Sequence, residues 1–297
     1  RTAFGDAPDE PLLLRPRHVG ATVMTKARNP IDVTRLVLGW LAAVLMAFPV
    51  IWMALAAFKS EPDAAAIPPL LFFSPTLENF AEMNQRVDYM HHAWNSVVVS
   101  FTSTALAILV GAPAAYAMAF YPNKSTKNMM LWMLSTKFMP AVGVLVPIYL
   151  LLVSAGMIDT LFALITLTFF GNLPLIVWML YSYFKEVPHE ILEAGRMDGA
   201  GPITQLIDLL LPLTMPGIAA TALLSIILAW NEAFWSINVT ATDSGTLALA
   251  IASFANSEGQ FWAKLSAASI ASVAPVLLLG WITQRQLVRG LTFGAVK

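Results

Sequence analysis

Six long apolar runs constrain this chain more than any other feature. They lie near residues 35–57, 95–120, 129–152, 161–184, 216–238 and 264–284, with polar stretches between them. Each meets the roughly 20 residues that a helix needs to cross about 30 Å of hydrocarbon. The runs are continuous and do not alternate, so they do not fit the wall of a β-barrel. Water cannot satisfy backbone groups inside a bilayer, and a helix satisfies them internally. The expected fold is all-α and integral to a membrane, with six transmembrane helices over residues 35–297. Residues 1–34 are polar, contain Pro8, Pro11, Pro16 and Pro30, and lack helical periodicity. They are expected to form a disordered cytoplasmic tail. Met24-Thr-Lys-Ala-Arg reads as a start, with residues 1–23 as an upstream extension.

Composition narrows the function. Only 12% of the 297 residues are charged and 58% are hydrophobic, whereas a soluble domain carries about a quarter charged residues. The net charge of -1 supplies no basic field for nucleic acid. The absence of cysteine excludes disulfides, thiolate metal sites and a cysteine nucleophile. No cleavable signal peptide is expected, because the first apolar run starts far into the chain and is too long for a signal core.

Orientation follows from the distribution of Lys and Arg. Thirteen of them fall in the tail, the second–third loop, the fourth–fifth loop and the C-terminal end. Three, Lys59, Arg86 and Lys264, fall on the opposite side, and Lys137 lies inside the third run. Both termini are expected on the cytoplasmic side. The outer stretch 59–94 is too polar to span and too long for a turn, and is expected to hold short surface helices. His91 and His92 are expected to be polar loop residues, because adjacent histidines lack the i, i+4 spacing of a helical metal pair. Trp40, Trp94, Trp230, Trp235 and Trp262 suggest an interface belt.

The fourth–fifth loop concentrates charge in a chain that avoids it. Five acids stand against Lys185 and Arg196. Pro188 suits a first helical turn, and Glu190 and Glu193 follow where the helix dipole favours acids. Asp198-Gly199 marks a turn. After Pro202, the residues Ile203, Leu206, Ile207 and Leu210 fall at i, i+3, i+4, i+7, one face of an amphipathic helix. Pro212 and Pro216 set the direction into the fifth run. The expectation is a short helix, a sharp turn, a second helix and a bend. A hairpin lying on lipid would carry Lys and Arg on its polar face. Acids suit a protein socket instead.

The order Glu193-Ala194-Gly195, Asp198-Gly199-Ala200, Leu211-Pro212 resembles the EAA motif of ABC importer permeases. One position departs: the third motif residue, usually Ala, is Gly195. The resemblance covers about residues 30–297 and looks like the carbohydrate (maltose-type) permeases. Ser135–Pro140, Trp230–Asn238, Phe261–Ser266 and Gln286–Lys297 look most like the mannitol/sorbitol (polyol) branch. The resemblance implies a cytoplasmic coupling loop, about 185–215, in which Glu193, Ala194, Gly195, Asp198, Gly199, Ala200, Leu211 and Pro212 meet or orient a separate ATPase. It implies no enzymatic activity and no cofactor on this chain, with ATP and Mg on the partners. Those partners are a second, non-identical permease, two ATPase subunits and an extracytoplasmic solute-binding protein, in a bacterial cytoplasmic (inner) membrane. The C-terminal tail would reach between the ATPase subunits. The implied solute is a sugar alcohol or related carbohydrate. A mono- or disaccharide is the alternative, and an ion-coupled secondary carrier a more distant one.

The residues themselves agree that nucleotide acts in trans. No Gly-x-x-x-x-Gly-Lys occurs, nor any Gly-Lys. No repeated halves mark an ion-coupled carrier. Gly195-Arg-Met-Asp-Gly199 has the form of a helix-dimer motif but lies outside the apolar runs. A solute path is expected from Lys137, about 12 Å into the third run by helix rise, where an ammonium needs protein, water or a partner. Asn231, Trp235 and Asn238, spaced i, i+4, i+7, are expected on one face, with Glu232 beside them. Amides and carboxylates bind hydroxyls, and an aromatic ring covers a C–H face.

Overall fold

The computed structural model describes the backbone of residues 30–256 and 259–292, and the side chains of 33–255 and 261–284. The expected tail therefore lies outside the described residues up to position 29. From Pro30 on the chain is helical, ahead of the expected boundary at 35. The chain divides into two units, residues 1–48 and 49–297. In the first, the described residues belong to helix α1 (Pro30–Ala57), which continues past Phe48 into the second. Trp40, Leu41, Val44, Leu45 and Met46 of α1 are all exposed.

The second unit begins with two short helices, α2 (Glu61–Ala64) and α3 (Glu78–Val87), as the polar stretch suggested. They fold back onto the end of α1. Asn79 Nδ2 donates to the carbonyls of Ala57 and Lys59, at 2.8 and 2.7 Å. The Lys59 ammonium is buried, donates to the Leu70 carbonyl and sits over the Trp52 and Phe73 rings. Among the described residues no acid pairs with this cation, and a carbonyl and two ring faces replace its water.

Two long helices form the centre: α4 (Tyr89–Phe120) and α7 (Leu161–Lys185). Ala107, Ala112, Ala115 and Ala119 of α4 are buried in one cluster with Ile176, Val177, Leu180 and Phe184 of α7. Small residues let helices approach closely where no hydrophobic force drives association. A third helix, α11 (Met215–Trp230, numbered in chain order below), is tied to this pair by polar groups at membrane depth. Ser225 Oγ lies 2.8 Å from Thr104 Oγ1, and Asn172 Nδ2 donates to the Ser225 carbonyl at 3.3 Å. Such bonds contribute about 0.6–2 kcal/mol in a bilayer.

Between α4 and α7 the third run is broken. Helix α5 (Thr126–Thr136) and helix α6 (Ala141–Ser154) meet at 87°. Pro140 stands at the break in an extended conformation, φ -61 and ψ 125. Proline has no N–H to extend the ladder of α5, and it disfavours helical geometry in the residue before it. After α7 come α8 (His189–Met197), α9 (Pro202–Thr204), a π-helix at Gln205–Leu210, α10 (Leu211–Leu213) and α11. The stretch Pro202–Leu213 meets α11 at 82°. The chain closes with α12 (Phe234–Val239), α13 (Leu247–Ala252), a two-residue pairing of β1 (Ala255–Asn256) with β2 (Gly259–Gln260), and α14 (Trp262–Thr292). Residues 293–297 of the expected tail lie outside the described residues.

Among the described residues, four helices are long and apolar enough to cross a membrane: α1, α4, α7 and α14. Counting each bent pair as one span gives six, the expected number. Three expectations are corrected. His91 and His92 belong to the first turn of α4 and are not loop residues. The helix of the fifth run stops at Trp230, so residues 231–238 do not continue it. Trp230 is only 6% exposed and donates from Nε1 to Ser272 Oγ, so it is core rather than interface belt.

Candidate functional site

The bundle has two ends, and each carries a built feature. At one end, α8 and the following segments project between α7 and α11. Helix α8 terminates in a Schellman arrangement. The Ala200 N–H donates to the Gly195 carbonyl at 2.9 Å, and the Gly199 N–H to the Arg196 carbonyl at 3.0 Å. Gly199 takes φ +86, a left-handed conformation that costs residues with a Cβ about 1–2 kcal/mol. The Asp-Gly turn expected from sequence is therefore a helix C-cap.

Gly195 has a different reason to be glycine. A Cβ built there would lie 2.6 Å from Leu209 Cδ1. The returning arm of the loop packs that closely against α8, so the small residue serves contact within the loop. Glu193 and Asp198 stand exposed beside it, with no side-chain partner among the described residues. Ala194 and Pro212 are also exposed, while Ala200 and Leu211 are half-buried. Met197 at the tip is 88% exposed, as few folded surfaces leave a methionine.

The amphipathic face expected for the second arm is redrawn. Leu206 and Leu210 are buried, but Ile203 and Ile207 are 73% and 53% exposed. The π-helix at 205–210 carries more residues per turn than an α-helix, so the i, i+3, i+4, i+7 pattern does not map onto one face. Gln205 takes the vacated inner position and is 2% exposed. Sequence reasoning passed over it because an isolated glutamine in a polar loop carries no signal.

At the other end of the bundle, Asp159 holds the segment 241–244. Its carboxylate accepts from the N–H groups of Ala241, Thr242, Asp243 and Ser244, at 2.9–3.2 Å. Burial pushes the Asp159 carboxyl up, but the four N–H groups together hold it well below the usual carboxylate range. His91 and His92 take the carbonyls of the same segment, Nε2 to Asp243 O and Nδ1 to Gly245 O, each at 2.7 Å. A carbonyl only accepts, so each of these ring nitrogens carries its proton. Among the described residues no group of three or more His, Cys, Asp or Glu could hold a metal.

Between the ends, the break of the third run opens a cavity of about 330 Å³. Lys137, Thr136, Phe170, Gly171 and Trp235 line it. Lys137 caps α5 and donates from Nζ to the Gly171 carbonyl at 2.6 Å. One of its three N–H donors is therefore taken by a backbone carbonyl, and the residue stands at a helix break rather than deep within a continuous helix. Lys137 and Trp235 both line this cavity. Asn231, Glu232 and Asn238 do not line it. Asn231 bonds back to Ile227 O and Asn238 to Phe234 O. The Glu232 carboxylate, just ahead of the Ala233 N-cap, accepts from the Trp235 N–H in the first turn of α12 at 3.1 Å. The common face expected for 231, 235 and 238 is absent because the helix ends before 231.

Apolar helices, continuous and broken, with an exposed helical loop between two of them, define a helical integral membrane protein. Residues 107–291 match the family described as "Binding-protein-dependent transport system inner membrane component", and the chain belongs to that family. It is 34% identical to the "Probable ABC transporter permease protein y4oR" of Sinorhizobium fredii, over 86% of this chain and 92% of that protein. It is 30% identical to the "Trehalose/maltose transport system permease protein MalG" of Thermococcus litoralis, over 86% of this chain and 94% of that one. A crystal structure of a bacterial ABC transporter involved in import of the acidic polysaccharide alginate superimposes with a TM-score of 0.71. It is 19% identical and covers 86% of this chain and 95% of its own, a likeness of fold.

Proposed function

We propose that this chain is the permease subunit of an ATP-driven importer for a sugar alcohol or related carbohydrate. The observation that carries the transport reading is the loop at 189–213. It is capped, internally packed and exposed at its acids. A loop of that kind can transmit a push from a partner, whereas a flexible one could not. Glu193, Ala194, Gly195, Asp198, Gly199, Ala200, Leu211 and Pro212 are the residues assigned to it. The partners are two ATPase subunits that carry ATP and Mg, a second permease and a solute-binding protein. The loop and both termini face the cytoplasm of a bacterium, and the Asp159 end faces outward.

The solute side is assigned to the cavity at the helix break. Lys137 offers an ammonium, Thr136 a hydroxyl, and Phe170 and Trp235 offer ring faces. Hydroxyl-rich solutes with apolar C–H faces suit that set. The named transport of trehalose and maltose by the Thermococcus relative favours a disaccharide as the second reading.

Reconstitution tests both. The assembled complex in proteoliposomes should take up mannitol or sorbitol only with ATP on the ATPase side. Uptake driven by an ion gradient without ATP would overturn the importer reading. ATP-driven uptake of trehalose or maltose, with neither polyol transported, would replace the solute and leave the importer standing.

A further inference from the structure

Besides the edge-on contact of the His189 ring with Phe120 at the end of α4, the coupling loop meets the rest of the molecule, among the described residues, through two kinds of contact. One is apolar: Leu192, Leu206 and Leu210 join the cluster of α4 and α7 around Ala115, Leu180 and Phe184. Apolar contact is non-directional, so it holds the loop against the bundle without fixing how it is turned. The other is a polar knot at one residue. Gln205 Nε2 donates to the Ala200 carbonyl at 2.8 Å. Gln205 Oε1 accepts from the Tyr116 hydroxyl at 3.0 Å and from Arg196 Nε at 3.4 Å. Arg196 also donates from Nη2 to the Tyr121 hydroxyl at 2.8 Å and lies over the Tyr121 ring.

These partners belong to three places. Arg196 is in the last turn of α8, Ala200 closes its C-cap, and Tyr116 and Tyr121 are at the end of α4. One amide therefore ties both arms of the loop to the central helix. Gln205 is 2% and Tyr116 5% exposed, so water does not compete for the bond between them. Buried hydrogen bonds are directional and costly to leave unmade. A turn of the loop must either carry α4 with it or break them. The knot also sits at the first residue of the π-helix, a geometry that is rare and concentrated at functional positions.

We propose that Gln205 and Tyr116 are a positioning pair that passes movement of the coupling loop to α4. The proposal rests on the coupling reading of the loop. It places the link to the transport path on two residues outside the motif, neither of them facing the ATPase.

The test uses the assembled complex of both permeases, the ATPase and the binding protein, with Tyr116→Phe, Gln205→Leu, the double variant and Gln205→Glu. ATPase co-purification, basal hydrolysis and uptake are measured, along with hydrolysis stimulated by binding protein loaded from mannitol, sorbitol, maltose or trehalose. Tyr116→Phe and Gln205→Leu should co-purify with the ATPase and keep basal hydrolysis. Stimulated hydrolysis and uptake should fall roughly fivefold in Tyr116→Phe, the weight of one net hydrogen bond, and at least as far in Gln205→Leu, which loses the bonds to Tyr116, Arg196 and Ala200 together. The double variant should be no worse than the more severe single one, because the two share a bond. Gln205→Glu keeps the acceptor for Tyr116 and Arg196 and should retain more stimulation than Gln205→Leu. Unchanged stimulation in both single variants overturns the proposal. So does loss of co-purification in both, which would make the knot a folding element only. Glu193→Lys serves as the control: if it leaves ATPase association intact, the coupling reading of the loop fails separately.

Discussion

Asp159 binds Ser244 twice, through the backbone N–H at 3.1 Å and the hydroxyl at 2.9 Å, across 85 residues of sequence. With the three preceding N–H groups, this contact pins the third–fourth connection to the fifth–sixth connection at one end of the bundle. Asp159 itself takes φ +56, a left-handed conformation that aspartate tolerates better than most residues.

Asp159→Asn should loosen that end. It removes the charge and one acceptor oxygen from a ring of N–H donors. The expected cost is about 1–3 kcal/mol, read as a lower thermal midpoint of the purified complex in detergent. An unchanged midpoint would show that the contacts from His91, His92 and Asn95 suffice to hold segment 241–245.

The same carboxylate sets an acid limit. Its folded value lies below the ordinary 3.8. A lowered folded value means that the unfolded chain binds the proton first, so folding resists protonation. The stabilisation is fully present above about 3.8 and is lost as pH falls from there through the folded value. Wild-type protein should therefore lose stability on acidification over that range more steeply than Asp159→Asn, by unfolding at stepped pH.

Orientation is open to cysteine labelling, because the native chain has no cysteine. Ser125 and Thr204 are exposed at the loop end, and Phe72 is 95% exposed in the 59–94 stretch at the other. In intact cells an impermeant maleimide should label Phe72→Cys and spare Ser125→Cys and Thr204→Cys until the membrane is opened. The reverse pattern would invert the assignment.

The loop variants separate docking from folding. Glu193→Lys reverses an exposed charge and should reduce ATPase co-purification by at least about tenfold, with the permease still inserted. Gly199→Ala strains the left-handed cap, and Gly199→Pro cannot adopt φ +86 or supply the N–H to Arg196 O. Gly199→Pro should abolish coupled uptake and Gly199→Ala should weaken it. Normal uptake with Gly199→Pro would mean that the cap geometry is dispensable.

Lys137→Met should raise the KM for uptake roughly tenfold, the weight of a hydrogen bond to a charged group, in a complex that still assembles. Asn231→Ala should leave KM unchanged, since that amide bonds back to Ile227 O and is not part of the cavity lining. A KM unchanged by Lys137→Met would remove the cavity from the solute path.

The sequence carried the number of spans and the presence of a capped loop, because both depend on local composition. Run length decides what can cross hydrocarbon, and Asp-Gly after a helical stretch decides where that helix ends. It singled out Lys137 because an ammonium inside an apolar run needs a partner, and Trp235 because a ring can cover a C–H face, but it foresaw neither the helix break nor the cavity that both residues line. It misread the fifth run because apolar residues continue past Trp230 even though the helix does not. Nothing local distinguishes Phe234-Trp235 in a new short helix from the same pair in an old one. It misread Ile203 and Ile207 because the i, i+3, i+4, i+7 template assumes α-geometry, and the π-helix does not obey it.

What the chain determined by itself is therefore the solvent it requires and the places where its backbone must turn. Long apolar runs select helices in lipid, and Pro140, Gly199 and Pro216 interrupt or cap them through their own dihedral preferences. What only the tertiary structure decided is which distant groups complete one another. Asp159 is satisfied by N–H groups more than eighty residues away. Gln205 is buried against a tyrosine 89 positions earlier. Hydrogen bonds of this kind have no periodicity to read, because they depend on where folding brings two helix ends and not on the residues beside them.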